Sequence, residues 1–433
     1  MNNTEIHRTD LDRQLAVELG DSWRTLLAGA ALIILWVSFR PFQGGQPVLY
    51  QGSLLNQLGY TATTGLLLLT LVTSVRPAIL LRLASPGWAL LIVWILISGY
   101  IISPGGGEAS RGATFSVITV VMAATIVAIA PTERRLTAAL VGAGGLVMIA
   151  SYGGLLLNPL AAVHQAFEVE AQHVGLWRGV FVHKNVAGPA VAMIVFVAIF
   201  AIRRGWQISG WLLLAASALF VFQSGSKTTI ALLPVVVGLV LLPQWLGLRV
   251  LVPIAGLAMI IGAHALTVGT VFSPVLDSVL RVFDPLTTYT GRVEIWEFAK
   301  NHIWTHPLTG FGYDGFWGTP IVTTAEQPFD TAWDPRGIGH GHNGFLDAWL
   351  FYGVVGFALI AWLTVISPAL QYLATPDTAA NRHLADLFYM MAVFAALNCS
   401  LESFFFNRID AVWLSMVFAL FGLRLVSRFR VTA

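Results

Sequence analysis

His342 stands in a His340-Gly341-His342-Asn343 stretch immediately before a long apolar run, with Asp347 a few residues further on. An unperturbed imidazole titrates near about pH 6.5, so a neutral histidine at a boundary between water and membrane can take a proton from a hydroxyl. Two other uses of these rings compete. As metal ligands, His340 and His342 align only on an extended segment and have no obvious third ligand nearby, which makes metal binding the weaker reading. As plain hydrogen-bonding groups they need no chemistry at all. Asp347 and Glu402 are carboxylates at or inside the ends of apolar runs, where a charge is costly unless paired. They can orient His342, pair with Arg408, or simply anchor helices.

A second set of residues is cationic. All three lysines, Lys184, Lys227 and Lys300, fall on the same predicted side of the membrane as His342, together with Arg178, Arg292, Arg336 and Arg408. Cations there oppose the usual topology signal and are best tolerated where an anion neutralises them, a phosphate or pyrophosphate above all. Arg offers a bidentate fork to phosphate oxygens and Lys a compact charge. Arg178 to Gly188 reads Arg-Gly-Val-Phe-Val-His-Lys-Asn-Val-Ala-Gly, which places Lys184 and Asn185 at a first helical turn, where free N–H groups also favour anions. Ser224-Gly225-Ser226-Lys227 repeats the arrangement between two later runs. The competing reading for each cation is snorkelling toward lipid headgroups.

The elements that must position these groups are membrane helices. Only 11% of residues are charged and 56% are hydrophobic, with a mean hydropathy of +0.75, which excludes an ordinary soluble domain. Apolar runs of about 17 to 25 residues match a bilayer core. They predict an all-α polytopic membrane protein of about twelve transmembrane helices, near 24–42, 56–75, 86–103, 112–131, 135–157, 185–203, 207–223, 227–245, 249–271, 344–373, 383–401 and 408–428. Residues 1–23 are polar, show no cleavable signal and are expected as a cytoplasmic N-terminal segment. Helices 1–9 then occupy 24–271, a large outward loop 272–343, and helices 10–12 with a short cytoplasmic tail 344–433. Arg76, Arg82, Arg134, Arg135, Arg203, Arg204, Arg249, Arg382, Arg424, Arg428 and Arg430 fall on one side, the positive-inside pattern. The single cysteine, Cys399, excludes an internal disulfide and a cysteine-based metal site.

The loop 272–343 is too long to be a mere connection. Val293, Trp296, Ala299 and Ile303 recur at helical spacing, which predicts an amphipathic helix from Arg292 that ends at His306-Pro307. It either builds the site or lies on the bilayer surface with Arg292 and Lys300 solvated. Trp304, Phe311, Tyr313, Phe316, Trp317 and Trp333 follow among glycines. They suit sugar stacking and an interfacial aromatic belt equally well.

Gly291-Arg292 with Trp296, Pro307 with Gly310-Phe311-Gly312, His342-Asn343-Gly344-Phe345-Leu346, and Gly353 with Gly356 together resemble the O-antigen ligase and Wzy-type polymerase superfamily. Arg178 to Asn185 and Ser224 to Lys227 are similar to its two upstream motifs. Val182-His183-Lys184-Asn185 is most similar to the exopolysaccharide polymerase branch, and Lys227 departs from the arginine expected in many members. The resemblance covers roughly residues 170 to 410.

It implies a GT-C-like fold and a metal-independent, inverting glycosyltransferase of the bacterial inner membrane, with its active site on the periplasmic face and no cofactor. The donor would be an oligosaccharide on undecaprenyl pyrophosphate, and the acceptor a glycan or a lipid A core. Membrane lipids, chain-length regulators and export proteins would be further partners, and nucleic acid none. His342 would be the base. Arg178, Lys184, Asn185, Ser226, Lys227 and Arg292 would hold the pyrophosphate, with His340, Asn343, Asp347, Glu402 and Arg408 in support. The first outer loop, where metal-dependent relatives of this general fold place carboxylates, contains none. A flippase or transporter for lipid-linked sugars needs the same cations without the base, although no internal repeat of the kind transporters show is evident.

Overall fold

The computed structural model describes residues 3–43, 53–168, 170–285, 287, 289, 291–326 and 334–431, with side chains described from residue 17 onward, Pro335 excepted. Trp333 lies outside the described residues. Each predicted apolar run is helical, and no strand is formed among the described residues. Eight helices are long and apolar enough to cross a membrane, or nine if the pair Pro77–Leu83 and Pro86–Ile102, bent by 70°, is one span. The chain is a polytopic membrane protein. A single helix runs from Asn3 to Val37, and its membrane-length apolar part is Val17–Val37.

Burial sorts the helices into layers. Lys184–Arg203, Ala379–Asn398 and Ala411–Arg428 have most of their residues buried and form the centre. Lys227–Trp245 buries only Thr229, Val236 and Val240. Leu156, Leu157, Ile208 and Trp245 stay exposed on outer helices, which suits contact with lipid rather than water.

One end of the bundle is tied by the arginines of the positive-inside set. Arg203 pairs with buried Asp386 at 2.8 Å, which also accepts from Tyr372 at 2.8 Å and Gln244 at 2.8 Å. Arg204 pairs with Glu133, and Arg424 donates to the Leu83 carbonyl at 2.6 Å. Arg203, Gln244 and Tyr372 sit at the C-terminal ends of the helices whose N-terminal ends carry Lys184, Lys227 and the segment after His342. Topology charges and candidate-site charges therefore occupy opposite ends.

The described parts of the segment 272–343 are folded and have their own apolar cluster. Helix Arg292–Ile303 buries Ile295, Trp296, Ala299 and Ile303 against Phe311, Phe316, Trp317, Val322, Leu346 and Leu350. Lys300 donates to the Val271 carbonyl at 2.7 Å. The helix is thus packed on the protein, and the surface-lying alternative with a solvated Lys300 does not hold. The aromatics take a third role as well: Phe311, Tyr313, Phe316 and Trp317 are buried, while Trp304 is exposed and packs edge-on against Trp349.

The loop is locked to the membrane helix that follows it. Helix Gly344–Ala361 breaks at Gly353, whose φ of +62° is left-handed and costs glycine least. A break inside a span leaves backbone groups without helical partners, which must be satisfied locally. Phe311 N–H donates to Leu350 C=O at 2.9 Å, Gly312 N–H to Phe351 C=O at 2.8 Å, Trp94 Nε1 to Tyr352 C=O at 3.0 Å, and Val354 N–H to Pro307 C=O at 2.9 Å. A β-carbon at Gly353 would meet the Leu308 carbonyl. The Pro307, Gly310-Phe311-Gly312 and Gly353 motifs are therefore two halves of one joint.

Candidate functional site

His342 sits at the start of the Gly344 helix with φ of +49°, an uncommon conformation for a residue with a side chain. Strain of about 1 to 3 kcal/mol of this sort persists where the surroundings over-determine it. The surroundings are explicit. Trp296 Nε1 donates to the Gly341 carbonyl at 2.9 Å. The Gly341 N–H donates to both Asp347 oxygens, at 3.1 and 2.9 Å, and Trp317 Nε1 donates to Asp347 at 2.7 Å. Asn343, fully buried, caps the helix by accepting from Leu346 N–H at 3.0 Å.

The same turn fixes the segment that carries Glu402. Asn343 Nδ2 donates to the Ser400 carbonyl at 3.0 Å, and Gly344 N–H to the Cys399 carbonyl at 2.9 Å. Glu402 Oε2 then stands 3.6 Å from His342 Nδ1, ion-pair range but longer than a hydrogen bond. Glu402 Oε1 accepts from Arg292 at 3.1 Å. Burial pushes Glu402 up, and the His342 imidazole and Arg292 guanidinium more than offset it, holding the carboxyl below its ordinary range. The His340 ring lies 4.1 Å from that of His342, centroid to centroid, and its Nδ1 accepts the His342 N–H at 3.3 Å. Burial first, then the His342 and Arg292 charges, push His340 down to about 4 against the pull of Glu402.

Of the two carboxylates weighed for His342, Glu402 faces it, and Asp347 instead clamps the preceding backbone. Neither pairs with Arg408. That residue reaches Asp314 at 2.6 Å and Tyr313 at 3.3 Å, and Tyr313 bonds Ser116 at 2.7 Å. Arg408 thus ties the outer loop to helix Gly106–Ile129.

The two upstream motifs meet. Lys184 Nζ donates to the Gly225 carbonyl at 3.4 Å, and a β-carbon at Gly188 would press on Ser226 at 2.6 Å. Lys184 is buried and Lys227 exposed, and the charges of Lys227, Glu170 and Glu402 all act on the Lys184 ammonium. Among the described residues Lys227 has no hydrogen bond or ion pair. Asn185 is exposed on the same first turn, and the Ser226 hydroxyl shares a hydrogen bond with Thr229 at 2.9 Å.

Arg178 is different. It is 1% exposed, and its guanidinium is taken by the Ala161 and Leu160 carbonyls, at 2.8 and 3.0 Å, and by Glu168 at 2.8 Å. It braces the segment before Lys184 and turns no free fork outward.

Sequence reading missed His164, Glu168, Glu170 and His173 in this segment, and named His183 only as part of a motif, without these partners. The available signal was density, since three of the chain's ten histidines fall between positions 164 and 183.

Residues 211–361 match the O-antigen ligase family model, Wzy_C. The chain is also similar to the exopolysaccharide production protein ExoQ of Rhizobium meliloti (strain 1021), with 24% identity over 249 residues. That alignment covers 54% of this chain and 53% of ExoQ, so the chain spans about half the length of the curated relative it matches. Both agree with the resemblance carried by the motifs.

Proposed function

We propose that this chain, similar to O-antigen ligases across the segment from Lys227 to the His342 helix, is an inner-membrane inverting glycosyltransferase. It moves an oligosaccharide from undecaprenyl pyrophosphate to a sugar hydroxyl at the periplasmic face. The His342–Glu402–Arg292 cluster carries this reading. A carboxylate 3.6 Å from Nδ1 favours the proton on that nitrogen electrostatically and leaves the Nε2 lone pair for the acceptor hydroxyl, the part an orienting carboxylate plays for a catalytic histidine. The acceptor oxygen attacks the anomeric carbon, its proton passes to Nε2, and the bond from sugar to pyrophosphate breaks.

Negative charge then grows on the leaving pyrophosphate. Preorganised cations aimed at such charge are usually the largest catalytic term. Lys227 is free to meet it, Lys184 is tethered only by one long bond, and Arg292 spends one hydrogen bond on Glu402 and keeps further donors of its fork. Asn185 and the Ser226 turn complete the floor. Arg178 acts as a positioning residue through Glu168, and His340, Asn343 and Asp347 hold His342 in place.

Similarity to an exopolysaccharide production protein favours the polymerase role, in which a second carrier-linked chain is the acceptor, over transfer to a lipid A core. Purified protein given lipid pyrophosphate oligosaccharide, with no divalent metal added, is expected to release free carrier pyrophosphate and lengthen the glycan. No release would overturn the enzyme reading in favour of a transporter. In a deletion strain, loss of long exopolysaccharide with unchanged lipopolysaccharide supports the polymerase; an unmodified lipid A core supports the ligase.

A further inference from the structure

Three histidines that the transfer chemistry does not use converge beside the first turn of the Lys184 helix. One nitrogen from each of His164, His173 and His183 lies within 4.8 Å of the others. Their rings meet edge-on at centroid distances of 5.5, 4.7 and 5.3 Å. His164 follows an antiparallel bridge between Val163 and Trp177, His173 ends the turn Ala171–His173, and His183 caps the helix Lys184–Arg203.

Each ring is held by a carboxylate. His164 Nδ1 is 2.8 Å from Glu168 Oε2, His173 Nδ1 is 3.1 Å from Glu170 Oε2, and His183 Nε2 is 2.7 Å from that same Glu170 oxygen. Ionised carboxylates only accept, so these nitrogens carry the proton, and the other nitrogen of each neutral ring keeps a lone pair. Metal-binding histidines are oriented in this manner, by a carboxylate on the nitrogen remote from the ion. Arg178 in turn fixes Glu168. Backbone N–H groups of Lys184 and Asn185 reach the His164 and His183 lone pairs at 3.2 and 3.1 Å, toward the long end of the usual range. His173 Nε2 makes no hydrogen bond among the described residues.

We propose that His164, His173 and His183 bind one divalent transition-metal ion of the zinc class, oriented by Glu168 and Glu170, and that the ion clips segment 158–183 onto the first turn of the Lys184 helix. Zinc–nitrogen bonds of about 2.1 Å in a tetrahedral site place ligand nitrogens about 3.4 Å apart. The rings must therefore draw together and turn their free nitrogens to one point, and the two backbone N–H contacts give way. Imidazole donors select zinc, cobalt, nickel or copper over magnesium and calcium, which prefer oxygen. The His183 side chain is 27% exposed, which gives an ion access. This site is independent of the glycosyl-transfer reading, and its role is to hold the segment, not to activate substrate.

The test uses full-length protein in detergent, purified with a tag that contains no histidine and titrated with Co²⁺, then Zn²⁺. The expected result is one equivalent of Co²⁺ with tetrahedral visible bands, displaced by Zn²⁺, and a raised Tm. His173→Ala should abolish the bands. Glu170→Gln, which keeps the shape of the segment and serves if His173→Ala does not fold, should weaken binding about 10- to 100-fold. His340→Ala should leave binding intact. Absence of stoichiometric Co²⁺ or Zn²⁺ in the unmodified protein overturns the proposal, as does binding that both His173→Ala and Glu170→Gln leave unchanged.

Discussion

Glu402 faces His342 across 3.6 Å with one carboxylate oxygen while the other holds Arg292 at 3.1 Å. A single side chain thus sets the proposed base and a cation in one frame. Its place depends on Asn343 and Gly344 gripping the Cys399-Ser400 backbone.

Removing the base should be severe. His342→Ala is expected to lower turnover by about 10²- to 10⁴-fold, the usual worth of general base catalysis. Glu402→Gln should cost less, about 10- to 100-fold, as expected for weakening its charge-assisted hydrogen bond to Arg292, a type worth about 1.5 to 3 kcal/mol. Release of carrier pyrophosphate checks both; full activity of His342→Ala would remove it as the base.

The cations should act on the pyrophosphate. Lys184→Met and Lys227→Ala are each expected to reduce kcat/KM by roughly 10- to 100-fold through lost charge-assisted bonds. Arg292→Lys should not restore activity, because a point charge cannot replace a fork shared between carboxylate and phosphate. Steady-state kinetics with a short-chain lipid pyrophosphate donor decides.

Arg408→Ala should affect stability more than chemistry. Its partners are Asp314 and Tyr313, which tie the loop to the helix Gly106–Ile129. A lower Tm with donor KM unchanged is the expected outcome, and a KM change comparable to that of Lys227→Ala would place Arg408 on the substrate.

Gly353→Ala should fail at the joint. The left-handed φ and the nearby Leu308 carbonyl both oppose a β-carbon, and strain of this type costs about 1 kcal/mol or more. Reduced Tm together with protease sensitivity near Pro307 is expected; an unchanged Tm would show that the joint tolerates the methyl.

Acid should weaken the fold through His340. Its folded value is pushed down to about 4, whereas an unfolded histidine titrates near about 6.5. Between these values the unfolded chain binds more protons, so the contribution is fully present above about 6.5 and is lost as pH falls toward 4. Tm measured across this window should fall less steeply for His340→Gln than for the unmodified chain.

The sequence by itself determined the class and the helices. Bilayer burial demands long apolar runs, and each such run is a helix because backbone groups in lipid must be satisfied within the segment. His342, Lys184, Lys227 and Arg292 could be singled out as candidates too, since cations and an imidazole are rare at span ends. Only the tertiary structure decided which charges are paired. Arg178 and Glu168, Arg408 and Asp314, and Glu402 and His342 are brought together by helix packing and by the Gly353 joint, and no local spacing encodes those meetings. For the same reason the convergence of His164, His173 and His183 is invisible in the chain: nine and ten residues separate them, and only a folded turn closes that distance.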